Sequence, residues 1–224
     1  MSDRVLREVP PPIGLPAIVV AAGESRRMGR LKPLLPLGDR TILQHVVDSL
    51  LSAGCGPVIV VVGHRGDEVG RIVADRPVIV QRNELYRDGM LSSVKCGAGH
   101  LPDGSKAFFV ALGDQPDIPE VVLRGLAQAW NSVPGGVLLP NYSGRRGHPI
   151  LIDCDLIPHL MQLPRTGTLR DLVFSPQVRR REIDVPDFSL PVDLDTPEEY
   201  AEAERSGRFA RQSSEVSLKQ TGEI

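Results

Sequence analysis

Residues 17–32 read AIVVAAGESRRMGRLK, and the rest of the chain is best read outward from them. The first five residues, 17–21, are small or apolar without a polar break, the composition of a strand buried on both faces of a parallel sheet. Gly23 ends that strand, and residues 24–32 carry four cations, Arg26, Arg27, Arg30 and Lys32, around a second glycine at Gly29. A small-residue turn with open backbone amides, followed at once by fixed positive charge, suits a polyphosphate at the end of a strand. This is not a Walker A loop, because Arg30 and Leu31 follow Gly29 where Lys and Ser or Thr are needed. Nor is it a dinucleotide fingerprint: Gly23 and Gly29 are the only glycines of the turn, and two arginines occupy the place of an apolar helix start. The plainer reading of the same residues is a strand followed by a solvated basic loop.

Downstream the chain alternates strand and helix. Thr41 and Gln44 have capping-box spacing, Leu43, Val46, Val47, Leu50 and Leu51 repeat at helical intervals, and Gly54 is placed to end that helix. Residues 58–62 read as a second buried strand, 67–74 as a short helix and 78–80 as a third strand, a succession that implies right-handed crossovers and a parallel sheet. Residues 83–99, NELYRDGMLSSVKCGAG, interrupt the rhythm with glycines and serines. Either Ser92 or Ser93 caps a helix poorly packed because of its glycines, or the segment lets backbone approach a ligand beside the first loop. The strongest strand signal is 107–112, AFFVAL, which runs into Gly113, Asp114, Gln115 and Pro116. A carboxylate there lies at the carboxyl edge of the sheet, where open α/β sheets bind ligands, or else caps the next turn. Pro119 and Glu120 open a helix through Trp130, ended by Pro134, Gly135 and Gly136, and another apolar strand follows at 137–139.

Beyond Tyr142 the parallel rhythm is lost. Residues 143–153, SGRRGHPILID, read as a turn with Arg145 and Arg146 and then a strand, and 155–175 as two helical pieces around Pro164 and Gly167. This region is expected to be an antiparallel hairpin or helix pair inserted over the edge of the sheet, a natural place for a second substrate. Near the end, alternation along a strand puts Asp193 and Asp195 on one face and Val192 and Leu194 on the other. Thr196, Pro197 and Glu199 complete a helix start that needs no function to explain it.

The 224 residues therefore divide into a flexible, proline-containing N-terminal arm over 1–15, one α/β domain over 16–204, and a polar tail over 205–224 expected to be disordered. The formal net charge of −2 gives no reason to expect a nucleic-acid partner, so the cations are a local feature. Three scattered cysteines, Cys55, Cys96 and Cys154, form no Cys-x-x-Cys, which argues against a zinc site and a disulfide framework and for a reducing cytoplasm. No leader pattern and no membrane-length apolar run is expected from the sequence.

A basic loop after strand one, a carboxylate ending a later strand and a second carboxylate near the end of the domain are the parts of a metal-assisted phosphoryl-group transfer. Two carboxylates can hold Mg²⁺, a hard cation that prefers oxygen ligands and substrate phosphates. An anionic phosphate as attacking group would need no general base. The residues also carry a family resemblance. Residues 21–38, AAGESRRMGRLKPLLPLG, resemble the signature of the MobA-like NTP transferases, the nucleotidyltransferase family that includes molybdenum cofactor cytidylyltransferase. GMLSSVKCG at 89–97, GDQP at 113–116, GHP at 147–149 and VDLDTPEEY at 192–200 are similar to further family motifs in the same order.

The resemblance spans about residues 16–204 and implies a Rossmann-like three-layer fold, nucleotide-diphospho-sugar transferase-like, with a mostly parallel mixed sheet. It implies nucleotide contacts from Ala21, Ala22, Gly23 and Gly89, triphosphate contacts from Arg27 and Lys32 with Arg26 and Arg30 as helpers, and base or ribose contact from Ser93. Asp114 and Asp195 would hold Mg²⁺, and Arg27, Lys32 and Asp114 would be the catalytic set. Ala-Ala-Gly at the turn implies a pyrimidine nucleotide, CTP first, with GTP the alternative. The implied reaction moves CMP onto a phosphorylated small molecule, molybdopterin first and a sugar or polyol phosphate second, in service of a molybdoenzyme; a non-catalytic nucleotide-binding accessory role is the competing class. Residues 163–170, LPRTGTLR, depart from the Gly-Asp-x-Gly-Ala-Arg stretch usual after GHP, which puts the pterin acceptor in question, and His148 is a candidate acceptor contact.

Overall fold

The computed structural model describes residues 10–25, 28–186, 194, 196–206 and 209. Ten strands and seven helices are present among them: β1 Ala17–Ala21, β2 Pro36–Leu37, β3 Arg40–Thr41, α1 Ile42–Ser52, β4 Val58–Val62, α2 Gly66–Arg71, β5 Val78–Arg82, α3 Met90–Ala98, β6 Ala107–Leu112, α4 Glu120–Ser132, β7 Val137–Tyr142, β8 Arg145–Arg146, β9 Ile150–Asp153, α5 Ile157–Gln162, α6 Leu169–Val173, β10 Arg180–Asp184 and α7 Pro197–Arg205. The main sheet runs β10-β7-β9-β6-β1-β4-β5, with β8 paired to β7. Along this path every pair is parallel except those of β9, which is antiparallel to both β6 and β7. This is the expected mostly parallel mixed sheet of an α/β fold.

Alternation along the central strands sorts the core into two layers, one on each face. Ala17, Val19 and Ala21 of β1 pack with Val58, Val60 and Val62 of β4 against Leu43, Val46, Val47 and Leu50 of α1 and Leu123 and Leu126 of α4. Ile18, Ile59, Phe108 and Val110 face the other way, onto Leu91 and Val94 of α3, Leu160 of α5 and Leu169 and Leu172 of α6. The helix signals read from the sequence hold at their ends. Thr41 and Gln44 close a reciprocal capping box on α1, Gly54 follows it with φ +76°, and Pro119 occupies the N-cap of α4. A third, small cluster joins Leu35, Leu37 and Ile42 to Leu194 and Ala203, so α7 braces the hairpin β2–β3. Thr196 and Glu199 form the expected capping box there, and the Tyr200 hydroxyl donates to the Pro36 carbonyl.

The structure departs from expectation in three places. The insertion after Tyr142 does not lie over a sheet edge, because β9 is threaded between β6 and β7. Its residues Ile150, Leu151 and Ile152 are buried with no exposed alternation, as an interior strand requires, and only the helix pair α5 and α6 sits on a face of the sheet. The cap of α3 is Gly89, at φ +100°, so Ser92 and Ser93 lie inside the helix rather than at its start. That helix is also closely packed, because the absence of a side chain at Gly97 lets it approach Ile18 of β1. The N-terminal arm is docked from Pro11 onward: Arg124 donates to the Pro11 carbonyl at 2.8 Å, and Gly14 N–H donates to the Gly54 carbonyl at 2.8 Å.

Candidate active site

In this sheet β1 pairs with β4 on one side and β6 on the other, so successive crossovers leave β1 in opposite directions. The carboxyl ends of β1 and β6 therefore border the crevice in which open α/β sheets take ligands. The two ends approach closely. A Cβ on Gly113 would lie 2.9 Å from both the Ala21 Cβ and the Val20 carbonyl oxygen, and the Gly113 N–H donates to that same carbonyl at 2.9 Å. A cavity of about 280 Å³ opens there, and its lining includes Ala21, Ala22, Gly23, Lys32, Gly89, Ser93 and Asp114. Seven residues named from the sequence thus meet in one cavity. Arg27 and Asp195 lie outside the described residues, as do Arg26 and Asp193. Arg30 is exposed and does not line this cavity.

The turn after β1 is built to leave amides open. His64 N–H donates to the Ala22 carbonyl at 3.1 Å and holds the turn to the end of β4, while the N–H groups of Gly23 and Ser25 have no partner among the described residues. Ser25 has φ +50°, a left-handed conformation that costs a non-glycine residue about 1 kcal/mol and that points successive amides toward one side. Its hydroxyl accepts the Lys32 N–H at 3.1 Å, which folds the basic loop back on itself. The loop is thus only partly the solvated segment that charge alone would give. Lys32 is 6% exposed at the head of a short 3-10 turn, and its ammonium reaches Asp114 across the cavity at 3.2 Å. Asp114 caps no helix; its carboxylate is about one third exposed and opens on the cavity.

Opposite this pair, α3 presents its first turn. Asn83, buried, donates from one amide group to Ser92 Oγ at 2.8 Å and Ser93 Oγ at 3.0 Å. Ser93 is 2% exposed, and accepting from Asn83 leaves its own proton for a further acceptor. Several cavity residues were not named as contacts from the sequence: Ser25, Pro33, Tyr86, Met90 and Leu112, with Gly113 entering only as part of a motif. Tyr86 is the most consequential of these. It rests on Gly63, where a Cβ would lie 2.6 Å from the Tyr86 Cβ and 2.9 Å from the Ala22 Cβ, so Tyr86 and Ala22 share one wall. The only local sign was an aromatic in the glycine- and serine-rich segment just before Gly89.

His148 lies beyond Leu112, at the start of β9. Its Nδ1–H donates to the Val110 carbonyl at 3.2 Å, and its own carbonyl accepts the Tyr142 hydroxyl at 3.3 Å. Burial pushes the Tyr142 phenol up to about 12, so it remains a donor at neutral pH. Among the described residues no three His, Cys, Asp or Glu side chains cluster as a metal site. The Asp114 carboxylate, a hard oxygen donor open to the cavity, fits one ligand position of a Mg²⁺-type ion, which keeps water and substrate phosphates in its other positions. No helix among the described residues is long and apolar enough to cross a membrane.

Residues 17–180 match the MobA-like NTP transferase domain. The chain belongs to the MobA-like NTP transferase family. Within the MobA-like family it is 28% identical over 187 residues to molybdenum cofactor cytidylyltransferase of Escherichia coli (strain K12), covering 83% of this chain and 93% of that protein. It is 32% identical over 151 residues to nicotine blue oxidoreductase of Paenarthrobacter nicotinovorans, covering 63% of this chain and 72% of the relative. Among solved structures, a nucleotidyl transferase from Methanothermobacter thermautotroptrophicus superposes with a TM-score of 0.73 at 26% identity, over 86% of this chain and 97% of the other. Membership makes this MobA-like chain a nucleotidyltransferase of mixed-sheet α/β fold. Base and acceptor must be argued from the site, because a shared fold does not fix them.

Proposed function

We propose that this enzyme transfers CMP from CTP to a phosphorylated acceptor, molybdopterin being the first candidate, and releases pyrophosphate. The observation that carries the reading is the pairing of Lys32 with Asp114 across a cavity rimmed by the open amides of the turn after β1. The name of the Escherichia coli relative supports both base and acceptor. For the base, the wall that Ala22 and Tyr86 share would favour the smaller pyrimidine ring over a purine. Three free thiols fit a reducing cytoplasm as the setting.

In this reaction an oxygen of the acceptor phosphate bonds to the α-phosphorus of CTP while the bond from that phosphorus to the α,β-bridging oxygen breaks. The electron pair leaves on pyrophosphate. Because the attacking oxygen is already anionic, no side chain has to remove a proton. A Mg²⁺ ion held by Asp114, with Asp195 as a second carboxylate, would supply neutralisation of charge on the α-phosphate and the leaving group. Lys32 holds a fixed positive charge where the β- and γ-phosphates would lie, and Arg27, outside the described residues, would add a second. The amides of Gly23 and Ser25 orient the phosphate chain, and Ser93 reads the base or ribose.

Pyrophosphate release, measured with Mg²⁺ from CTP, GTP, UTP and ATP in parallel, each with and without purified molybdopterin, tests the proposal. Release only from CTP plus molybdopterin is expected. Release from GTP instead would overturn the base, and release with a sugar phosphate but not with molybdopterin would overturn the acceptor. Binding of CTP without release under any condition would leave an accessory protein in place of an enzyme.

A further inference from the structure

Asn83 follows the last residue of β5 and is held from three directions. Its backbone N–H donates to the Val62 carbonyl at 2.8 Å, which extends the pairing of β4 and β5 by one bond. Its side-chain oxygen accepts the Leu85 N–H at 2.9 Å. A backbone N–H can only donate, so this contact fixes which end of the amide is oxygen and turns the NH₂ group toward α3. There the amide donates to Ser92 Oγ at 2.8 Å and Ser93 Oγ at 3.0 Å. The two serines use their own protons differently. The Ser92 hydroxyl has the carbonyls of Leu85, at 2.9 Å, and Gly89, at 2.8 Å, as acceptors. Ser93 lines the cavity, is 2% exposed, and has no acceptor for its proton among the described residues. Buried polar groups are rarely left without a partner.

We infer that Asn83 is a positioning residue of the nucleotidyl-transfer site, fixing Ser93 as a hydrogen-bond donor so that the nucleoside is held there through an acceptor atom. The inference rests on the reading above that Ser93 contacts the nucleoside. The Asn83 NH₂ group occupies one lone pair of Ser93 Oγ and, being a donor, cannot take the hydroxyl proton, which must point away from it. What remains is the cavity and the preceding turn of α3, where the Gly89 carbonyl already accepts from Ser92. Cytosine offers neighbouring acceptors, N3 and the 2-carbonyl oxygen, to such a donor. A hydroxyl free to rotate has to be oriented when the ligand binds, whereas one held by a buried amide is oriented in advance. A carboxylate at position 83 would reverse the arrangement. It can accept the Leu85 N–H as the amide does, but it draws the Ser93 proton to itself and leaves a lone pair facing the ligand.

The test uses the full chain as wild type, Asn83→Asp, Ser93→Ala and the double variant, with affinities for CTP, GTP and tripolyphosphate measured calorimetrically in Mg²⁺. Thermal midpoints check folding. Asn83→Ala, which removes the donor without burying a charge and should cost about threefold in CTP affinity, takes the place of the aspartate if that variant does not fold. Ser93→Ala should weaken CTP binding by about three- to tenfold, the worth of one hydrogen bond. Asn83→Asp should weaken it by about tenfold or more, because a lone pair then meets an acceptor, and should leave tripolyphosphate affinity within about twofold. Once Ser93 is alanine, the same change at Asn83 should alter CTP affinity by less than about twofold. Equal losses from Asn83→Asp with and without Ser93, or CTP and tripolyphosphate weakening together, would make Asn83 a merely structural residue and overturn the inference. An unchanged CTP affinity in Ser93→Ala would overturn the contact and the inference with it. Preference for GTP with the same non-additivity would sustain the inference and sink the choice of CTP.

Discussion

Gly97 is the point at which α3, which carries one wall of the cavity proposed to take the nucleotide, touches the sheet. A Cβ there would lie 2.6, 3.0 and 3.1 Å from three side-chain carbons of Ile18, where carbon contacts settle at about 3.5–4.0 Å. Ile18 cannot yield, since it is fully buried on a strand hydrogen-bonded on both sides, so α3 must lift away from β1. Two effects oppose each other in Gly97→Ala. Alanine is better than glycine in a helix interior by about 1 kcal/mol, while overpacking a core costs about 1–3 kcal/mol. All three contacts meet a side chain with nowhere to go, so the overpacking should win, with a net destabilisation of about 1 kcal/mol and a fall in Tm of about 2–4 °C. Urea unfolding should show a lower midpoint at unchanged slope. Ile18→Ala alone should cost about 2–5 kcal/mol, yet the double variant should be more stable than the sum of the two by at least about 1 kcal/mol, because the new methyl enters the space that Ile18 vacates. CTP affinity should fall several-fold in Gly97→Ala, since Met90 and Ser93 move with the helix. A Gly97→Ala protein as stable as wild type, or strictly additive variants, would refute the claim that this contact sets the seat of α3.

Three further outcomes are expected. Asp114→Asn should reduce Mg²⁺-dependent pyrophosphate release by about a hundredfold or more while lowering Tm only slightly, because an ion pair with one partner a third exposed contributes about 1 kcal/mol at most; turnover at the wild-type rate would remove Asp114 from the site. Lys32→Ala should weaken CTP binding much more than CMP binding, measured calorimetrically, and equal losses would contradict a β/γ-phosphate contact. Burial raises the thiol pKa of Cys55 to about 12 and of Cys154 to about 11, so native thiols should resist iodoacetamide at pH 8. The folded values lie above the unfolded one of about 8.5, so the stability from keeping these thiols neutral is complete below about pH 8.5 and is lost as pH rises toward about 11–12; urea midpoints that do not fall over that window would count against the burial.

What was legible in the sequence was what is encoded locally. Thr41 with Gln44, Pro119 before Glu120, and Thr196 with Glu199 each name a helix start from side chains no more than three residues apart, and the apolar runs at 17–21, 58–62 and 107–112 name buried strands. What was missed depends on neighbours far along the chain. The run ILID at 150–153 has the same composition at an edge or an interior, and only its pairing with both β6 and β7 makes it interior. Ser92 and Ser93 look like caps until Gly89 takes the N-cap, after which they become a buried network around Asn83. Tyr86 gains its place from Gly63 and Ala22, and Phe174 from arginines on three other elements or turns.

The same distinction explains why the candidate residues around the cavity could be brought together from the sequence, while the region after Tyr142, expected only as a natural place for a second substrate, gave no sign of the arginines around Phe174. Lys32 and Asp114 each follow a strand, and a parallel sheet puts all strand ends on one edge, so a reading of local elements already brings them to the same side of the molecule. They meet at 3.2 Å only because β6 is the immediate neighbour of β1 and Gly113 lets the two strand ends close to contact. The arginine cluster has no such rule behind it. Arg146 arrives on a two-residue strand, Arg170 on a five-residue helix and Arg180 on the far edge strand, and they converge because β9 carries the chain back through the sheet and leaves α6 packed beside it. An arrangement assembled by the antiparallel strands β8 and β9 is invisible to parallel-sheet logic, and those strands are the elements by which this sheet departs from a plain parallel one.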